Sequence, residues 1–209
     1  MRKSEQEKAK IRRQTEAGRK PNKDRTAHKA ARGLKLPTLA DLSRTPATEE
    51  ELQQVFDLLE TESDRGCALI AGSLLENTLA MTINCHLADC GEQFRKKLHE
   101  GSDAPLGTFA SKIKMGRALA IYDKRVQKSF ETVKDIRNAF AHALRPLDFT
   151  NPTIVSHVET LFDWEMPKQD ENLSPGRIRY SAFCFSMGKR LYTAATAQGG
   201  KELEISLTI

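Results

Sequence analysis

One segment constrains this chain more than any other. Between Asp64 and Leu87, the residues Leu69, Ile70, Leu74, Leu75, Leu79, Met81, Ile83 and Leu87 place apolar side chains almost all round a helix. A helix with no polar face has to be covered by other helices, so it sits at the centre of a bundle. Glu76 is the one Asp, Glu, Lys or Arg between Arg65 and Leu87. A carboxylate in that setting has to find a partner, because an unpaired buried charge is prohibitively costly.

The rest of the chain supplies the covering helices. Thr48-Glu49-Glu50-Glu51 fits a capping box, with Thr48 as N-cap and Glu51 three residues on. The helix it opens buries Leu52, Val55, Phe56 and Leu59. Cys90-Gly91 ends the central helix, and a short helix follows with Phe94 and Leu98. The breaker-rich stretch from Gly101 to Thr108 is a turn, leading into a helix that turns Phe109, Ile113, Ala120 and Ile121 inward. Asp123 caps the next helix, whose stripe Val126, Phe130, Val133, Ile136, Phe140 and Leu144 keeps helical spacing until Pro146. Asn151-Pro152 is an N-cap followed by proline at N1; the helix after it buries Ile154, Val155, Val158 and Leu161. A polar loop from Pro167 to Ser174 precedes a last long helix from Pro175 to about Ala197, with Tyr180, Cys184, Met187 and Leu191 inward. After Gly199-Gly200, the alternation Leu203, Ile205, Leu207, Ile209 reads as a short strand, frayed or paired in an oligomer. The expected fold is an all-α bundle of about six helices over residues 48–198, with a basic, mostly disordered arm and linker over 1–47 and a tail over 199–209.

Charge divides the chain in the same places. Residues 1–33 hold 12 Lys or Arg against 4 acids, whereas residues 34–209 hold 21 against 24. With Ile11 as its one large apolar residue, the arm cannot bury enough surface to fold alone. A solvated extension is the plain reading. Arg12, Arg13, Arg19, Lys20 and Arg25 are its candidate contacts to DNA or RNA, since cations that neutralise phosphates release counterions. No window approaches the roughly 18 apolar residues of a membrane span, and the first residues lack the apolar run of a secretory signal. The four cysteines therefore read as reduced thiols. The expectation is a cytoplasmic protein with no membrane contact.

The functional question centres on Arg137-Asn138-Ala139-Phe140-Ala141-His142. At about 100° per residue, Glu131, Asp135, Asn138 and His142 line the polar face of their helix. Arg137 instead falls inside the apolar stripe, between Val133 and Phe140. Its guanidinium cannot shed its charge and needs acceptors, and Glu76, under the same constraint, is the natural partner. Such a pair specifies geometry more reliably than it adds stability.

Arg-Asn-x3-His at a helix end in an all-helical chain resembles the Arg-x(4–6)-His motif of the HEPN superfamily. More specifically, three blocks resemble the mannitol-operon repressor (MltR) family: Ser73-Leu74-Leu75-Glu76, Ala104-Pro105-Leu106-Gly107-Thr108-Phe109, and Arg137 to His142. The similarity runs from about Glu51 to Phe162, and the basic extension lies outside it. It implies a helical, transcription-associated repressor that acts through a protein partner and forms a homodimer, although no helix-turn-helix is evident. There Arg137, Asn138 and His142 brace the bundle. The alternative is a metal-independent HEPN-type endoribonuclease, a toxin or defence component. His142 would then act as general base or acid on a ribose 2′-OH, Arg137 would stabilise the phosphorane, and Asn138 would orient the phosphate. Arg137 and His142 lie about 140° apart around an ideal helix. Catalysis therefore requires the helix to unwind near Ala141, or a second chain to supply one of the two.

Other candidates carry less. Cys85-His86-x3-Cys90 with His99 does not have zinc-knuckle spacing, and Cys85 continues the apolar stripe Cys67, Leu74, Met81. Ser102-Asp103 reads as turn and helix cap, and Trp164 as packing of the preceding helix onto the bundle. No phosphate-cradling loop, metalloprotease helix or nucleophile elbow appears, so no metal or cofactor is expected.

Overall fold

In a computed structural model, residues 48–162 and 173–197 are described, and all regular structure among them is helical. The seven helices are α1 (Glu49–Thr61), α2 (Asp64–His86), α3 (Glu92–His99), α4 (Phe109–Ala118), α5 (Lys124–His142), α6 (Pro152–Glu159) and α7 (Pro175–Ala197). The all-α bundle is as expected, with seven helices against about six. The basic arm, Trp164 and the C-terminal alternating segment fall outside the described residues.

Local chemistry sets most of the helix starts. Thr48 Oγ1 accepts from the Glu51 amide at 3.2 Å while Glu51 Oε2 accepts from the Thr48 amide at 2.7 Å, a reciprocal capping box on α1. Ser63 caps α2. Thr108 and Ser111 form a second capping box on α4. Asp123 Oδ1 accepts from the Arg125 and Val126 amides at 2.9 and 3.0 Å, and Asn151 caps α6 ahead of Pro152.

The central segment takes its expected place. α2 makes its most extensive contact with α7 and also packs against α1, α4 and α5. The α2–α7 seam is close because both helices carry small residues where they meet: a Cβ on Gly188 would collide with Leu74 Cδ2. Along the seam, Tyr180 Oη donates to Ala68 O at 3.0 Å and Thr82 Oγ1 to Leu191 O at 2.9 Å. These bonds give otherwise buried hydroxyls a partner. Aromatic rings close the core on the other side. Phe140, Phe149 and Tyr180 stack in series at centroid separations of 4.8 and 5.2 Å, and Phe130 meets Tyr122 edge-on at 4.9 Å.

Several sequence expectations need correction. Ala120 does not face inward from a helix; it is exposed in the turn after α4, with φ 55°. Leu144 closes no stripe, because α5 ends at His142 and leaves Leu144 fully exposed. Val55, Phe56 and Val155 are half-buried. α2 is not covered all round, since Leu69, Ile70, Ala80 and Met81 keep partial exposure. By length and composition α2 is also apolar enough to cross a membrane, contrary to the expectation that no window comes close; half of that stretch is buried inside the bundle.

Candidate functional site

Three helices meet at Glu76. α2 carries the carboxylate, α4 carries Lys112 and α5 carries Arg137. Lys112 Nζ lies 2.5 Å from Glu76 Oε1, and Arg137 Nη2 lies 3.5 Å from Glu76 Oε2. The side chains of Glu76 and Lys112 are only 13% and 11% exposed, against 30% for Arg137, so the acid and lysine are sealed beneath a partly open arginine. One carboxylate between two cations leaves a net charge of +1 on the cluster. The shorter, more buried contact to Lys112 carries more of the Coulomb attraction than the longer one to Arg137.

The turn before α4 delivers Lys112. Leu106 and Phe109 are buried plugs on either side of it, and the Leu106 amide donates to Leu98 O at 2.8 Å. Gly107 packs against Ala104, where a Cβ would come within 3.2 Å of the Ala104 Cβ and carbonyl. Thr108 then caps α4, one helical turn before Lys112. The Pro-Leu-Gly-Thr-Phe block thus launches α4 at the angle that takes Lys112 to Glu76. On α2, Gly72 lies one turn before Glu76, and a Cβ there would come within about 3.0 Å of Arg137 Cγ and 3.1 Å of Tyr180 Oη. Its missing side chain makes room for Arg137 to lie across α2.

Sequence reasoning pairs Arg137 with Glu76 and misses Lys112. The signal is present: Phe109, Lys112, Ile113 and Gly116 form the buried stripe of α4, so Lys112 is a cation on an apolar face, the same anomaly that singles out Arg137. Arg177 escapes it as well. It is buried at the start of α7, donating to Asp64 Oδ1 at 2.9 Å, Leu59 O at 2.7 Å and Glu62 O at 2.5 Å. Asp64 Oδ2 in turn accepts from the Phe149 amide at 2.8 Å. This network pins the end of α1, the start of α2 and the α5–α6 connection to α7.

His142 and Asn138 lie apart from the cluster. α5 stays helical through His142, and the Ala143 amide donates to Ala139 O at 3.0 Å. The unwinding near Ala141 that would swing His142 toward Arg137 is therefore not there. His142 is exposed, Asn138 is half-buried, and neither forms a hydrogen bond or ion pair among the described residues. Arg65 Nη2 donates to Ala143 O at 2.6 Å, closing the end of α5. The outer face behaves as its wheel position implies, with Glu131 taking a bond from Gln127 and Asp135 meeting Lys134.

Cys67, Cys85 and Cys184 are buried or half-buried away from the cluster, and Cys90 is exposed. Burial pushes the Cys67 thiol up to about 11, partly offset by Arg177, and pushes Cys184 up as well. Neither is a thiolate at neutral pH. Cys85 is half-buried with Sγ 3.6 Å from Ala195 O. His86 Nδ1 lies 2.8 Å from Thr82 O, and His99 Nε2 2.9 Å from Asn84 Oδ1. Among the described residues no group of three His, Cys, Asp or Glu side chains is placed to hold a metal. Ser102 and Asp103 lie in an exposed turn, and the cap of α4 is Thr108. The arm residues Arg12, Arg13, Arg19, Lys20 and Arg25 lie outside the described residues. An open groove of about 570 Å³ over Leu52, Leu74 and Phe185, edged by Glu50 and Lys189, contains no nucleophile–base pair.

No family model, curated protein or solved structure matches this chain. The resemblance to the mannitol-operon repressor family therefore rests on the three sequence blocks alone.

Proposed function

We propose that this chain is a transcription-associated helical regulator of the mannitol-operon repressor type, working through protein contacts, with nucleic acid reached through its basic arm. The observation that carries this reading is the Glu76–Lys112–Arg137 cluster. The first and third of the family-like blocks supply Glu76 and Arg137, and the second opens the helix that supplies Lys112. The motif arginine thus spends its charge on the Glu76 carboxylate of α2, beside Lys112 of α4, which favours a structural role over a role in chemistry. A homodimer belongs to the same proposal and is measured directly by sedimentation.

The endoribonuclease is the second reading, and exposed His142 is what speaks for it. With α5 unbroken, it needs Arg137 and His142 from two copies. Purified protein and an Arg137→Ala/His142→Ala variant, each incubated with RNA in EDTA, separate the two readings. We expect intact RNA in both. Metal-independent cleavage that disappears in the variant would overturn the regulator-only reading.

A further inference from the structure

Positive charge within the described bundle is dense along the α4–α5 stretch. Between Asp103 and Glu131 lie six Lys or Arg and a single acid, Asp123. Lys112 is consumed by Glu76. The other five, Lys114, Arg117, Lys124, Arg125 and Lys128, are all exposed, and none forms an ion pair among the described residues. By contrast, residues 49–64 carry seven acids and no base. The polarity is regional and does not reflect the average composition.

The α4–α5 turn brings together the two helices that carry the five cations. Tyr122 Oη donates to Ile113 O at 2.7 Å, and the Ile121 amide donates to Gly116 O at 3.0 Å. These bonds fold the start of α5, which carries Lys124, Arg125 and Lys128, back onto the last turns of α4, which carries Lys114 and Arg117. Asp123, whose Oδ1 caps α5 through the Arg125 and Val126 amides, leaves four positive charges in excess over this stretch once Lys112 is set aside. The first turn of α5 contains no acid. Helix N-termini carry partial positive charge and normally attract acids, so Lys124-Arg125 there sets like charge against like. The helix end adds to the positive potential of the side chains.

We propose that the α4–α5 corner is a second polyanion-binding surface, separate from the arm, that grips the phosphate backbone of a nucleic-acid duplex without reading its sequence. The residues between the cations select this partner. Ala118, Ala120 and Asp123 are the other exposed residues from Lys114 to Lys128. Single strands are held by stacking on exposed aromatic rings, and none is there among the described residues; Phe162 is half-buried, with the Arg125 guanidinium 5.8 Å from its centroid. A membrane surface needs apolar residues beside the cations, and a protein interface needs a buried anchor and few lysines. A phosphate backbone needs only placed cations.

The test compares full-length wild type with two exposed, charge-matched double variants, Lys114→Glu/Lys128→Glu at the corner and Lys97→Glu/Arg145→Glu away from it. Binding to a 20-base-pair duplex is measured by fluorescence anisotropy across a salt series, with circular dichroism confirming equal helicity. Each lost phosphate contact lowers the slope of log K against log salt by about 0.9. The corner variant is therefore expected to lose about 2 from the slope and about tenfold or more in affinity, while the distal variant keeps its slope. An equal loss in both variants, no loss in either, or no duplex binding by wild type in about 50 mM salt overturns the proposal. So does corner-dependent binding to phosphatidylserine vesicles or to oligo-dT in preference to the duplex.

Discussion

Arg137 and Arg177 both reach a carboxylate of α2, and they are held very differently. Arg177 has an 8% exposed side chain and donates to Asp64 and to carbonyls at the end of α1 and in the α1–α2 connection. Arg137 has a 30% exposed side chain with one acceptor, Glu76, at 3.5 Å, and it shares that carboxylate with a closer lysine. The arginine inside the conspicuous motif is thus the more loosely bound of the two. A guanidinium that donates to several acceptors at once fixes chain geometry, because removing it leaves those acceptors short of a donor together. One that shares a single acceptor near solvent contributes far less.

The largest effect expected from this contrast is at Arg177. Arg177→Ala removes the cation facing Asp64 and the donor to the carbonyls of Leu59 and Glu62, and urea denaturation should show a loss of about 3–5 kcal/mol. Arg137→Ala should cost about 1 kcal/mol or less. If the order is reversed, the motif arginine is the true pin of the bundle and the contrast fails.

A smaller effect tests the interior of the cluster. Glu76→Gln leaves two cations facing a neutral amide and should cost about 2–4 kcal/mol. Double-mutant cycles should then give a larger coupling for Glu76 with Lys112 than for Glu76 with Arg137. Equal couplings would show that the difference between 2.5 and 3.5 Å has no energetic meaning.

The smallest effect is set against the neutral seam between α2 and α7. The Cys67 thiol sits at about 11 in the fold against an ordinary 9.0, chiefly through burial. Above pH 9 the unfolded chain ionises this thiol while the folded chain keeps it protonated. The contribution is complete below pH 9 and is lost as pH rises toward 11, at up to about 1.4 kcal/mol per pH unit. Thermal melts from pH 8 to 11 should show a shallower alkaline loss in Cys67→Ala than in wild type. Parallel curves would mean that the seam admits water.

Local chemistry alone makes much of the fold legible. The capping box at Thr48, the Asp123 cap, Asn151-Pro152 and the apolar stripes of α2, α5 and α7 are patterns within a few residues, and the helices follow them. Periodicity misplaces Ala120 and Leu144 for a local reason too, because it continues along the chain past a helix end that a turn or Pro146 has already broken. For the candidate site, the wheel position of Arg137 is legible, since a charge inside an apolar stripe stands out in one dimension. Lys112 and Arg177 bear the same mark but escape notice, because neither sits in a recognisable motif.

The sequence by itself determined a helical bundle over the described residues, its central helix, and a charge at Glu76 in need of a partner. Only the tertiary structure decided how that charge is shared, because partners 36 residues apart in sequence meet through the angle at which α4 leaves its turn. It also decided that α4 and α5, which carry the five exposed cations, fold back against each other. Bonds from Tyr122 and Ile121 to the backbone of α4 fold that corner, and no pattern along the chain encodes them.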